Sequence, residues 1–230
     1  MKRFIVFLAA LMVLSSGFAF AADGVKVEAG IKLWNNEWES KDPIDGTSKF
    51  DAGLLIGPAV VVTLPSNVFF EASYLMSVTD YEFKDAITTV KVERADMDLA
   101  VGYMFIPEFG LFVGYRSTSL DATFSDAFGS GTATIDFSGP VIGLRANYTF
   151  NKMFGIYASA AYLMTESEWK EAGDTFKEDA PGTSFELGLK AMFSKQLSGT
   201  LGYRMESFEG DKSKTEDKFS GLTLGVMYAF

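Results

Sequence analysis

The chain has 230 residues, a formal net charge of −10, and neither cysteine nor histidine. Without cysteine it has no disulfides and no thiolate metal ligands; no loop carries an EF-hand arrangement of Asp, Gly and Glu, and no metal or other cofactor is expected. So acidic a chain is also a poor match for nucleic acid, whose binding rests on Lys and Arg neutralising phosphates.

The N-terminus reads as a cleavable signal peptide over residues 1–21. Lys2 and Arg3 form a positive n-region, Phe4 to Leu14 is an apolar run, and Ala19-Phe20-Ala21 is a small-x-small cleavage pattern. The apolar run is too short to cross a bilayer, which takes about 20 residues. Residues 22–230 then suit one domain. Losing Lys2 and Arg3 takes the formal charge from −10 to −12.

From there the polarity alternates with a period of two. The pattern predicts ten strands, at 25–36, 50–63, 68–79, 92–105, 110–120, 134–150, 155–166, 184–194, 198–207 and 218–230. Eight strands is the alternative count. Each segment has at least the ~9–11 residues of a tilted transmembrane strand. Four connections are short (64–67, 106–109, 151–153 and 195–197), and five are longer and polar (37–49, 80–91, 121–133, 167–183 and 208–217). Short turns alternating with long loops are the habit of outer-membrane barrels. The expected fold is therefore all-β: a closed antiparallel up-and-down transmembrane β-barrel.

The two faces of each segment carry the argument further. In the fourth, Ala95, Met97, Leu99, Val101, Tyr103 and Phe105 oppose Arg94, Asp96 and Asp98. In the eighth, Phe185, Leu187, Leu189, Ala191 and Phe193 oppose Glu186 and Lys190. Glycines such as Gly30, Gly57, Gly102, Gly143 and Gly188 share the polar face, as suits the concave inside of a narrow barrel. Leu64, Phe70, Tyr103, Phe105, Tyr148, Phe150, Phe154, Phe193, Tyr228 and Phe230 gather on the apolar face at the short-turn end, where a periplasmic aromatic girdle belongs.

With the apolar face toward lipid, a charge network falls inside. Its positive members are Lys26, Lys32, Arg94, Arg116, Arg145, Lys190 and Arg204; its negative members are Glu28, Asp51, Glu71, Asp96, Asp98, Glu186 and Glu206. So balanced a set is expected to pair off and plug the lumen, because an unpaired buried charge costs several kcal/mol. Glu93, Glu166 and Glu168 fall on the outward parity, at the outer rim.

The long loops are acidic, carrying Glu37, Glu39, Asp42 and Asp45, then Glu168, Glu171, Asp174, Glu178 and Asp179, then Glu209, Asp211, Glu216 and Asp217. They are expected to be solvated and to keep the exposed rim soluble. Trp38 and Trp169, beside them, are expected to anchor at the outer interface.

The final segment, Thr223-Leu224-Gly225-Val226-Met227-Tyr228-Ala229-Phe230, resembles the β-signal of bacterial outer-membrane proteins through Gly225, Tyr228 and the terminal Phe230. That resemblance implies insertion by the outer-membrane assembly machinery. Residues 22–230 resemble the small outer-membrane β-barrel proteins, the group with the OmpA-type membrane domain, OmpW and the opacity-type proteins. The group includes structural barrels, adhesins and narrow pores, so membership does not fix an activity. The resemblance also admits enzymes, and outer-membrane hydrolases and acyltransferases of this size use a histidine. None is present here and no other base stands beside a candidate Ser, so no enzyme is expected.

The sequence thus points to a monomeric, non-enzymatic outer-membrane barrel in contact with lipid and lipopolysaccharide. Its expected features are a largely plugged lumen and exposed acidic loops, with a role in envelope integrity or surface interaction. A narrow porin-like channel for small solutes or ions is the first alternative, and a lipid-modifying enzyme the second.

Overall fold

A row of alternating antiparallel strands has two unpaired edges unless its first strand meets its last. In this chain they meet. The computed structural model describes residues 24–44, 46–84, 88–125 and 129–230. The predicted signal peptide and Asp45 lie outside the described residues.

The strands are β1 (Lys26–Asp42), β2 (Gly46–Thr63), β3 (Val68–Thr79), β4 (Tyr81–Lys84), β5 (Thr89–Ile106), β6 (Phe109–Ser125) and β7 (Ser130–Thr149). They continue with β8 (Phe154–Leu163), β9 (Glu166–Glu171), β10 (Asp174–Asp179), β11 (Gly182–Met192), β12 (Leu197–Glu209) and β13 (Glu216–Ala229). Ten of them form the ring β1-β2-β3-β5-β6-β7-β8-β11-β12-β13, antiparallel throughout, with β13 pairing back onto β1. The Phe230 amide completes the seam by donating to the Val27 carbonyl at 2.9 Å. The other three prolong the wall at one end: β4 carries β3 along β5, β9 carries β8 along β7, and β10 folds back on β9. Each predicted segment contributes to one ring strand, so the count is ten and not eight.

The short turns have local causes. Asn67 takes a left-handed conformation (φ 64°) that closes the turn after Pro65, its amide donating to the Leu64 carbonyl at 3.0 Å. Asn151 Oδ1 accepts from the amides of Met153 and Phe154. Ser194 Oγ accepts likewise from Gln196 and Leu197. Asn and Ser side chains thus stand in for backbone acceptors.

The other end departs from expectation. Most of the predicted acidic loops are strand. Glu37, Glu39 and Asp42 belong to β1, Glu168 and Glu171 to β9, Asp174, Glu178 and Asp179 to β10, Glu209 to β12, and Glu216 and Asp217 to β13; Asp211 lies in a turn. Lysine partners explain why so acidic a stretch can pair. Glu39 meets Lys49 at 3.1 Å, Glu168 meets Lys170 at 3.1 Å and Lys177 at 2.7 Å, and Glu82 meets Lys84 and Lys91. Opposite charges facing one another across strands favour pairing.

The wall inverts its polarity along its own length. Near the short turns the outer face is apolar: on β5, Phe105, Tyr103, Val101 and Leu99 are exposed in succession, and on β13, Tyr228, Val226, Leu224 and Leu222. Beyond this belt, which by its strand lengths is ~25 Å tall, the outward positions turn polar, with Glu93 and Lys91 on β5 and Ser220 and Lys218 on β13. At that level the inward positions become apolar. Trp34, Trp38, Tyr81, Leu120, Phe137, Phe208 and Phe219 are buried together inside the ring. Trp38 is therefore no interface anchor. It stacks on Phe50 at 4.0 Å and on Phe219 at 5.6 Å, and its indole N–H donates to Asp217. Trp169, on β9, is half-exposed. The interior glycines make room for such rings: a Cβ at Gly53 would come within 2.8 Å of the Tyr81 ring.

Candidate functional site

The inward charges of the belt form two clusters, one above the other. The upper cluster sits directly beneath the aromatic interior. Arg94 on β5 reaches Asp96 on its own strand and Glu206 on β12, each at 2.8 Å, and none of these three side chains is more than 1% exposed. In the ring of ten, β5 and β12 are diametrically opposed, so this pair crosses the lumen. Arg116 on β6 joins Asp98 and Glu206. Arg204 on β12 joins Glu206 and lies 3.6 Å from Asp98. Three guanidiniums and three carboxylates thus share one buried site, with Glu206 common to all three arginines.

Neutral groups complete it. Thr118 Oγ1 donates to Asp96 at 2.9 Å, and the Ser184 hydroxyl to Glu206 at 3.3 Å. Arg94 lies 4.7 Å from the Trp34 ring centre and 4.0 Å from that of Phe219, and Arg204 lies 4.5 Å from Trp34. These rings offer π faces to cations that have left water. Trp34 Nε1, Arg94 Nη1 and Asp96 Oδ2 are buried there without a hydrogen-bond partner among the described residues.

The lower cluster is more open. Glu71 on β3 accepts from Lys32 on β1 at 2.9 Å and from Arg145 on β7. Arg145 in turn covers the Phe69 ring at 4.6 Å. Glu186 accepts from the Tyr157 hydroxyl at 2.8 Å and from Thr223 Oγ1 at 2.9 Å. Nearest the short turns, Glu28 meets Lys26 at 3.0 Å and Lys190 at 3.8 Å.

One predicted member falls outside. Asp51 is exposed. Between Asn36–Gly53 and Trp38–Phe50, β1 has one residue and β2 has two, Asp51 and Ala52. This β-bulge resets the parity of β2, so Phe50 points inward and Asp51 points out. Parity counted from the middle of the strand cannot show such an insertion. The aromatic partners Phe219 and Phe208 are what the sequence reading lacked. Phe208 shares the parity of Arg204 and Glu206 on β12, and Phe219 that of Gly225 on β13, which was the available signal.

The residues that carry the resemblance to a β-signal lie at the ring seam. Gly225 stands between Lys32 and Thr200, while Tyr228 and Phe230 pack edge to face at 5.1 Å on the exposed outer surface.

The chain matches the family model for the outer membrane protein beta-barrel domain over residues 6–230. No curated protein matches it. Among solved structures it is similar to the outer membrane protease OmpT from Escherichia coli, at 13% identity and a TM-score of 0.66, over 91% of this chain and 98% of that one. It is also similar to the translocator domain of the autotransporter NalP from Neisseria meningitidis, at 11% identity and a TM-score of 0.53, over 98% of this chain and 99% of that one. Likeness at such identities concerns the fold alone. The family match covers nearly the whole chain, so the chain belongs to the outer membrane beta-barrel domain family and resides in the outer membrane.

Proposed function

We propose that this member of the outer membrane beta-barrel family is a non-enzymatic, monomeric barrel with a closed lumen, acting in envelope integrity and surface interaction. The observation that carries the reading is the Arg94–Glu206 pair, which joins opposite walls of the barrel at 2.8 Å with both side chains fully buried. Phe137 and Phe208 stack at 4.6 Å one layer above it, on β7 and β12. An ion crossing this level would have to break a desolvated pair and open an aromatic layer, each costing several kcal/mol.

The long-hairpin end faces outward in this reading, as it does in barrels of this kind. The apolar belt then meets outer-membrane lipid, and the polar wall above it stands among lipopolysaccharide headgroups. A hydrolytic role finds little support. The chain has no histidine, and each carboxylate of the upper cluster is paired with an arginine.

Planar-bilayer recording of the folded full chain tests the closed lumen. The unmodified protein is expected to show no discrete conductance steps, and the variant Arg94→Ala/Glu206→Ala/Phe137→Ala/Phe208→Ala, which removes both the pair and the aromatic layer, to show them. Steps of constant size from the unmodified protein would overturn the reading and favour the narrow channel.

A further inference from the structure

The β9–β10 hairpin rises beyond the ring and presents one face over the barrel mouth. Trp169 lies opposite Phe176 across the hairpin, and Glu171 opposite Asp174. Alternation puts all four on the same face. That face continues the inner wall, because Trp169 is also registered against Ile135 of β7, an inward residue packed on the aromatic interior. Trp169 and Phe176 are nonetheless 46% and 48% exposed. With Ala172 and Thr175, the four line a cavity of about 390 Å³. Among the described residues, neither Glu171 nor Asp174 has a cationic partner.

We propose that this face binds a Lys- or Arg-bearing extended segment of a basic polypeptide, the cationic head lying between the two aromatic rings and the two carboxylates. Three features point to that chemistry. Exposed aromatic faces attract cations, most strongly where water is partly excluded. The hairpin carries six carboxylates against two lysines over residues 166–179, which favours a cation and repels anionic lipid headgroups. A cation of the protein itself already uses the edge of the site: Lys212 Nζ lies 5.5 Å from the Phe176 ring centre while donating to the Lys177 carbonyl at 3.0 Å. Lys212 is exposed, so an incoming cation can displace it. The proposal names a partner for the surface role proposed above. It depends on that reading only for the hairpin standing outside the membrane, and not for the closed lumen.

The test uses the folded full chain in detergent micelles, with acetylated tetra-arginine amide as probe and Trp fluorescence and calorimetry as readouts. Trp169→Ala/Phe176→Ala leaves the net charge unchanged and is expected to weaken binding about tenfold. Glu171→Gln/Asp174→Asn is expected to weaken it comparably, and Glu37→Gln/Glu39→Gln, with the same charge change elsewhere on the rim, less than twofold. Lys212→Ala is expected to bind the probe more tightly than Lys49→Ala, although the two lose the same charge. Equal affinity in the aromatic double variant and the unmodified chain would overturn the proposal, leaving only diffuse electrostatic attraction. So would binding of anionic lipopolysaccharide micelles that depends on the same four residues.

Discussion

The two halves of the barrel solve opposite solvation problems with one strand pattern. In the belt half, the outward residues are Leu, Val, Tyr and Phe, and the inward ones include Arg, Lys, Asp and Glu. In the mouth half, the outward residues include Glu, Lys and Ser, and the inward ones Trp, Phe and Tyr. On β13 the change takes four residues, from Leu222 outside and Thr223 inside to Lys218 outside and Phe219 inside. Residue parity stays constant across the change while the surrounding solvent switches. Where lipid surrounds the wall, the apolar side turns out. Where water surrounds it, the same ring buries its apolar side as a soluble barrel does. The upper ion cluster lies at the boundary, which is why its arginines touch both carboxylates and indole or phenyl faces.

This comparison can be broken most forcefully at its boundary. Glu206→Ala leaves Arg94, Arg116 and Arg204 without their shared carboxylate, and Phe219→Ala removes a buried ring against which Arg94 and Trp38 pack. Each is expected to cost about 3–5 kcal/mol in reversible denaturant unfolding from lipid vesicles. If Phe219→Ala were as mild as truncation of an outward residue of the belt, the mouth half would have no core of its own.

An outward arginine series along β13 sharpens the position of the boundary. Leu224→Arg is expected to cost about 2–4 kcal/mol, and Ser220→Arg about 0–1 kcal/mol, by the same measurement. Equal costs at both positions would mean that lipid covers the mouth half as well.

The smallest expected effect is local and depends on pH. Glu178, on β10, is buried in the mouth half. Burial raises its carboxyl pKa, but donation by the Ser213 hydroxyl and by the amides of Ser213 and Lys212 outweighs this and holds it below the usual range. A carboxyl lowered in the folded state stabilises above its unfolded pKa of roughly 4.3, and that contribution is lost as pH falls through the folded value. Amide hydrogen exchange at Lys212 and Ser213 should therefore accelerate below about pH 4, after correction for intrinsic rates, while the belt strands stay protected. Glu178→Gln should show the faster exchange already at neutral pH. An unchanged pH profile in that variant would separate the hairpin's attachment from this carboxylate.

Much of the ring was legible because its signals are local. A period of two is written residue by residue, turn residues such as Asn67, Asn151 and Ser194 act within three positions of themselves, and Phe230 marks the closing strand. Parity also groups charges such as Arg94, Asp96 and Asp98 on one face of a strand, because side chains alternate whatever the shape of the whole. The bulge at Asp51 was not legible, because one inserted residue leaves no local mark.

By itself, then, the sequence determined the ten ring strands, their alternation and the need for closure, each of which follows from backbone geometry and side-chain order. Tertiary structure alone decided where the wall turns inside out, and which charges meet. Arg94 and Glu206 are 112 residues apart, and only the closing of ten staggered strands sets them across one lumen. A hydrophobic pattern shows that two faces differ. Which face meets lipid, water or its own interior depends on height along the barrel axis, and that height exists only once the ring has closed.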